Sequence, residues 1–328
     1  MTDMTPSLRI GASRSNLARF VQGYGQELVI LAALIVLFAV VGTINPRYFA
    51  GNNLTTIFSG NAYVAVAAIG MAMVIISGHI DVSVGSLIGV LATLAGTLAT
   101  SHYPIWVAWL VPVLGGIAIN ALVGVLVAYA NIPSIVVTLG MLSILKGGLI
   151  LATNGAWITD LPPDFFIAQS RWFSVPAPIY FMVILTAVTA FWMRYSAFGR
   201  SIYAVGGNPE AARTAGIPSK LVTVIVFAIH GMFAGLATLL FATQLQVIQS
   251  TVPPNLELTV ITAAVIGGVS ILGGTGTVIG STLAAILFAA ISSALVFVGV
   301  SAYWLRAVLG ILILITVLAD MIRRRRSF

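Results

Sequence analysis

Residues 82–145 read VSVGSLIGVLATLAGTLATSHYPIWVAWLVPVLGGIAINALVGVLVAYANIPSIVVTLGMLSIL, a run of 64 positions without a single Asp, Glu, Lys or Arg. A helix crosses the hydrocarbon core of a bilayer in about 20 apolar residues, so the run holds several crossings. Turn-forming residues divide it: Ser101-His102-Tyr103-Pro104 and Asn131-Ile132-Pro133 interrupt the apolar pattern. Leu258–Leu305 is a second uncharged run, of 48 residues. Charged residues make up 7% of the chain, against about a quarter of an ordinary soluble domain. An ordinary globular enzyme is therefore excluded. So is a disordered chain, which needs low hydrophobicity. The chain has no Cys, which excludes disulfides and cysteine-built metal sites.

Breaks at Pro, Asn, Gly and charged residues divide the chain into ten spans: Leu28–Ile44, Ala62–Ile80, Val84–Ser101, Ile105–Ala130, Ser134–Leu151, Val175–Met193, Leu221–Thr243, Leu258–Leu272, Thr277–Val298 and Tyr303–Leu318. The second and third spans, and the eighth and ninth, have such short connections that broken or re-entrant helices fit as well. Backbone in lipid must satisfy its own hydrogen bonds, so helices are expected, and the alternating ten-residue pattern of a β-barrel is missing. The expected class is an all-α polytopic membrane protein of about ten transmembrane helices. Its parts are an N-terminal segment 1–27, a single membrane domain 28–320 and a basic tail 321–328. The first apolar run exceeds a usual signal-peptide core and no clean cleavage site follows it, so it is read as a retained span.

The basic residues set the expected orientation. Arg9, Arg14 and Arg19 precede the first span, Arg194, Arg200, Arg213 and Lys220 lie between the sixth and seventh, and Arg323–Arg326 follow the tenth. With both termini inside, these eleven are cytoplasmic, and only Arg47, Arg171 and Arg306 are outside, in keeping with the positive-inside rule. The net charge of +7 is thus a topology signal, and no nucleic acid is expected as a partner. On the outer side, Thr153–Ser174 carries Trp157, Asp160, Pro162, Pro163, Asp164, Phe165, Phe166 and Trp172. Both an aromatic belt and a docking cap fit that mixture.

The inner connection 194–220 has soluble character. Asn208 suits an N-cap, Pro209 the first helical position and Glu210 the positive end of a helix dipole. Gly216 suits the left-handed residue that ends a helix, and Pro218 stops continuation. A two-turn helix from Pro209 to Ala215 is predicted on the cytoplasmic face, either docking to another protein or simply solvated.

Glu210-Ala211-Ala212-x-x-x-Gly216 resembles the EAA loop of ABC importer permeases, without the Ile-x-Leu-Pro that follows in the full motif. That departure is usual in the monosaccharide branch, which the chain resembles over nearly its whole length. Ser77-Gly78-His79-Ile80-Asp81-Val82-Ser83-Val84-Gly85-Ser86 is similar to the Gly-Gly-Ile-Asp-Leu-Ser-Val-Gly-Ser signature of ribose, xylose and autoinducer-2 permeases, with His79 and Val82 as departures. Asn131–Gly140, Ala197–Asn208 and Ala264–Gly274 resemble further family segments in the family's order. The resemblance implies the ABC importer permease fold in a bacterial inner membrane, both termini cytoplasmic. It implies a non-catalytic subunit that provides the passage for a monosaccharide or related small polyol. The implied partners are an ABC ATPase, which uses the ATP, a second permease copy in a homodimer or heterodimer, a periplasmic or lipid-anchored sugar-binding protein, and membrane lipid. No cofactor is expected on this chain. Asn208, Pro209, Glu210, Ala211, Ala212, Arg213 and Gly216 are the implied coupling residues. Ribose, xylose, rhamnose, other pentoses or hexoses, and autoinducer-2 all fit.

Read physically, Asp81 is a charge that must pair, reach water or accept backbone donors near the hydrocarbon. It reads as a cap on the third span, completed by Ser83 and Ser86, and as a gate hinge at the inner end of spans two and three, with Gly78 and Gly85 allowing close approach. His79 and His230 lack a third ligand and read as packing residues rather than a metal pair. Lys146 either snorkels or lines the passage; Asn61, Asn120, Thr138, Thr262 and Ser270 are further polar candidates for it. Gly274-x-Gly276-x-x-x-Gly280 has no preceding soluble strand and reads as a tight turn before close helix packing, not as a dinucleotide site. Neither lysine follows a glycine, so a Walker A loop is absent. A secondary transporter or channel, and an intramembrane enzyme, are the competing classes. The intramembrane acids are too few for a proton relay, and no catalytic constellation is visible.

Overall fold

The computed structural model describes residues 16–251 and 253–301, with side chains from residue 25 onward, and scattered positions between 303 and 321. Its helices are α1 (Asn16–Ile44), α2 (Gly51–Phe58), α3 (Ala62–Ile76), α4 (Val84–Thr100), α5 (Ile105–Tyr129), α6 (Ser134–Thr153), α7 (Ala177–Tyr195), α8 (Ala197–Gly207), α9 (Pro209–Thr214), α10 (Ser219–Ala242), α11 (Leu256–Ile266) and α12 (Val278–Phe297).

Helix α3 is the axis of the bundle. Every residue from Ala62 to Ile76 except Tyr63 is buried. Its sequence, AYVAVAAIGMAMVII, is apolar on all faces, as a fully enclosed helix must be. Helices α7, α10, α11 and α12 pack around it. The tightest pair is α5 with α10, where Gly116 and Gly231 lie back to back. A Cβ on either would collide with the other's carbonyl oxygen. Small residues at a crossing let two backbones approach, which is how helices gain packing energy where lipid supplies no hydrophobic drive.

Seven helical stretches are long and apolar enough to cross a membrane: Gly25–Ile44, Gly51–Ile76, Ile105–Tyr129, Ser134–Thr153, Ala177–Tyr195, Ser219–Ala242 and Val278–Phe297. The all-α polytopic class holds, and the count of ten spans needs three corrections. The second span starts earlier than Ala62, because α2 extends it outward, and its helix stops at Ile76 rather than Ile80. The eighth is only the 11-residue α11, and the apolar sequence after it is a loop, not helix. Helix α4, of 17 residues, is also short for a crossing. Non-helical backbone is tolerated at membrane depth where protein surrounds it. Such a loop keeps an apolar composition, which a hydropathy reading mistakes for helix. Six of the sixteen residues of the tenth span, and all of the tail 321–328 except Met321, fall outside the described residues. So do residues 1–15. The segment expected to be a cytoplasmic lead-in is helical from Asn16.

The end opposite α9 is covered by residues 154–176. Two short 3-10 turns, Pro163–Phe165 and Ile167–Gln169, precede a minimal hairpin of β1 (Arg171–Trp172) and β2 (Val175–Pro176). Ile158 exchanges backbone hydrogen bonds with Ile248. Phe165 is buried against Ala92, Ala95 and Ala99 of α4, while Trp157, Trp172 and Phe173 stay exposed.

Candidate functional site

Two groups of residues stand out, joined by one stretch of backbone. The first is the exposed end of the bundle around α9. Asn208 accepts hydrogen bonds at Oδ1 from the amides of Glu210 (3.1 Å) and Ala211 (3.0 Å). Two of the amides that a helix start leaves without partners are thereby satisfied. Pro209 occupies the first position, and the helix ends one residue short of the predicted Ala215. Gly216 takes φ +84°, a conformation costly for any residue with a Cβ. Ala212 is buried, whereas Glu210, Ala211 and Arg213 face outward. The short helix thus presents a polar face on a fixed seat.

That seat is a knot of three backbone segments. The end of α8, the turn after α3 and the loop 267–277 meet where the Gly274 amide donates to the Ile76 carbonyl at 2.8 Å. Gly206 lies so close that a Cβ would collide with the same Ile76 carbonyl oxygen. Gly78, Gly273 and Gly274 all have positive φ. Tyr203 of α8 donates its hydroxyl to the Gly276 carbonyl at 2.9 Å. Burial, and then the Glu27 carboxylate, push the Tyr203 phenol upward, so it stays a neutral donor. Helix α9 thus continues from α8, whose end is packed against both loops.

The second group begins where the turn after α3 leaves this knot. The His79 ring lies 3.4 Å from the Thr223 hydroxyl, one turn into α10. The chain then climbs back into the bundle. The Ile80 amide donates to Ser134 Oγ at 3.3 Å, and the Asp81 side chain is fully buried. Asp81 Oδ1 accepts the Ser83 amide (2.7 Å) and hydroxyl (2.5 Å), and Oδ2 accepts Asn120 Nδ2 at 3.1 Å. His230 Nε2 stands 3.3 Å from Oδ2. Asn120 lies about 14 Å along α5 from its end beside the knot, and His230 about 17 Å along α10 from the same end. Asp81 is therefore near mid-depth, not at the inner end where the sequence reading put the hinge. The carboxylate binds Ser83, the residue before α4, while no side-chain cap bond closes the start of that helix, which begins inside the bundle.

Helix α11 begins beside it. The space a Gly85 Cβ would fill is taken by the Glu257 carboxylate and, 3.1 Å away, the Glu257 amide. Two helix N-termini thus abut, that of α4 buried and that of α11 partly open, one preceded by Asp81 and one carrying Glu257 in its first turn, the end where a helix dipole favours a negative charge. Asn120 Oδ1, Ser86 Oγ and His230 Nδ1 are buried without a partner among the described residues. Among those residues no three His, Cys, Asp or Glu gather to hold a metal.

The two passage candidates differ in setting. Thr138 is fully buried, its hydroxyl 3.3 Å from the Ile135 carbonyl and 3.5 Å from that of Ile80. In this conformation it lines no open surface. Lys146 is exposed on α6, about 10 Å short of the helix's far end. The sequence reading missed that Asp81, Asn120 and His230 form one cluster. Each was weighed alone, and 39 and 149 residues separate Asn120 and His230 from Asp81. The available signal was that all three are polar residues in otherwise apolar surroundings.

The profile of the family described as branched-chain amino acid transport system / permease component matches residues 53–317. The autoinducer 2 import system permease protein LsrC of Salmonella typhi is 36% identical over 297 residues, covering 90% of this chain and 85% of that protein. The protein of the same name from Escherichia coli O9:H4 (strain HS) is 35% identical over 303 residues, covering 92% and 88%. No solved structure matches the chain.

Proposed function

The chain belongs to the family of branched-chain amino acid transport system permease components, and from that membership we propose how its geometry serves import. It is a non-catalytic, multi-pass inner-membrane permease subunit of a binding-protein-dependent ABC importer, and it works with an ATPase and a binding protein. The further assignments are our own reading. Asn208–Gly216 is the coupling element, with Glu210, Ala211 and Arg213 as the face that meets the ATPase. Both termini lie on the ATPase side. Two permease copies, identical or similar, enclose the passage, and the exposed face of α6 with Lys146 borders it. The chain carries no cofactor, and ATP is bound by the partner. The cargo is a monosaccharide or a related small polyol such as autoinducer-2.

The observation that carries the coupling reading is the knot beneath α9. A rigid, capped helix tied through α8 to the Gly78 turn and the 267–277 loop is a lever. ATP-driven closure of the ATPases favours one position of that lever, and differential contact with the two states supplies the shift. Gly78, Asp81, Ser83, Gly85 and Ser86 then form the hinge that passes it to α4, while Asp81 pins the hinge to α5 and α10. Thr138 steadies the same segment from α6.

Reconstitution with the ATPase and binding protein in liposomes tests this. Substitutions Glu210→Arg and Gly216→Val are expected to lower ATP-dependent uptake at least tenfold while the permease remains folded. Full uptake by both would remove the coupling assignment, and uptake without any ATPase would remove the ABC reading.

A further inference from the structure

We propose that the groove between α7, α8, the middle of α1 at Glu27 and the start of α12 is a binding site for an anionic phospholipid. The groove encloses about 570 Å³ and includes Glu27, Phe191, Arg194, Tyr195, Arg200 and Tyr203 in its lining. It lies at the end of the bundle that carries α9, at the level where α7 ends and α12 begins. Two guanidinium groups dominate its mouth. Arg194 sits over the Tyr195 ring, 5.7 Å from its centroid. Arg200 donates one N–H to the Tyr195 carbonyl at 3.0 Å, which fixes the group and leaves further donors on a fork suited to phosphate oxygens. Both arginines are exposed. Among the described lining residues the one acid, Glu27, is 8% exposed and accepts the Thr277 hydroxyl at 2.5 Å. The described lining thus carries more basic than acidic groups.

A second feature selects a lipid over a free phosphate. Ile184, Val188, Phe191 and Tyr195 are all exposed, and their spacing makes one apolar stripe along α7 that runs into the arginine mouth. The Phe191 and Tyr195 rings lie with centroids 4.6 Å apart, tilted by 42°. A headgroup between the arginines places its acyl chains along that stripe. Basic pockets between transmembrane helices at the headgroup level suit anionic lipids. Arg200 and Tyr203 belong to α8, the arm that leads to α9, so an occupied groove stiffens the lever.

The test reads lipid retention on the full-length purified chain by native mass spectrometry, independent of transport. Phosphatidylglycerol and phosphatidylcholine with the same acyl chains are compared. Retention of the anionic lipid is expected to be greater by roughly 30-fold, about fivefold per arginine. The preference should vanish in Arg194→Gln/Arg200→Gln and persist in Arg47→Gln, at the opposite end. Soluble glycerol 3-phosphate should not displace the lipid. Equal retention of the two lipids overturns the proposal, as does a preference unchanged in the double variant. Displacement by glycerol 3-phosphate at lipid-like concentrations assigns the groove to a free phosphate instead. Should the double variant not fold, a photoreactive anionic lipid on the unaltered chain decides: adducts within residues 184–203 support the site, and adducts only elsewhere refute it.

Discussion

Asp81 is a carboxylate enclosed by an apolar bundle, and what keeps it there is the set of groups that reach it from Ser83, Asn120 and His230. Removing it strands buried donors on α5 and α10 that have no water to turn to. Asp81→Ala is therefore expected to destabilise the permease by about 3 kcal/mol, the scale of deleting one partner of a buried pair. Asp81→Asn keeps the shape and should cost about 1–2 kcal/mol. Thermal unfolding in detergent measures both, and an Asp81→Ala shift no larger than that of an exposed control would show the cluster to be inert. Two adjacent glycines give a second contrast. A Cβ on Gly206 strikes the Ile76 carbonyl, whereas one on Gly207 meets only the Gly274 Cα at 3.9 Å. Gly206→Ala should lower the unfolding temperature by an amount equivalent to about 1–3 kcal/mol, and Gly207→Ala should leave it nearly unchanged. Comparable losses from both would mean that the knot is looser than its geometry. The Asp81 motif was legible as a special site in the sequence, because a charge in a long apolar run demands an explanation. Its partners were not, since nothing local links positions on three separate segments.

At the scale of elements, α9 is where local chemistry and function coincide. Its cap, first-position proline, acidic first turn and terminal glycine all act within one short segment, and so a sequence reading found the helix to within a residue. Asn208→Ala removes two bonds to backbone amides and should cost about 1 kcal/mol locally. The expected outcome is weaker capture of the ATPase and slower uptake, with the unfolding temperature of the bundle unchanged. Co-purification with the ATPase checks it, and undiminished capture would separate the cap from coupling. For α11, composition carries the expected span from Leu258 to Leu272. The helix itself stops at Ile266, where Gly268 takes φ +93° and the Val269 amide bonds the Ala264 carbonyl, a local glycine stop. The glycine loop beyond it then meets α8 and the Gly78 turn, contacts far along the chain.

For the whole molecule, the proposed orientation puts α9 on the cytoplasmic side, as the distribution of the 15 basic residues along the sequence leads one to expect. The chain lacks cysteine, so an introduced one is a single reporter of sidedness. Arg213→Cys is expected to react with a membrane-impermeant maleimide only after the membrane is opened, and Asp160→Cys, in the cap at the other end, in intact cells. The reverse pattern would invert the topology and carry the coupling helix to the wrong side.

By itself the sequence determined that this is a helical membrane protein, which loop carries the short capped helix that we propose for coupling, and which family it joins. Those properties rest on composition summed over long runs and on caps and motifs a few residues long. Only the tertiary structure decided that α4 begins inside the bundle, that Asp81 meets Asn120 and His230 near mid-depth, and that α8 is tied to two glycine loops. These arise from packing between segments distant in the chain, where a buried loop and a buried helix are equally apolar and only the neighbours tell them apart.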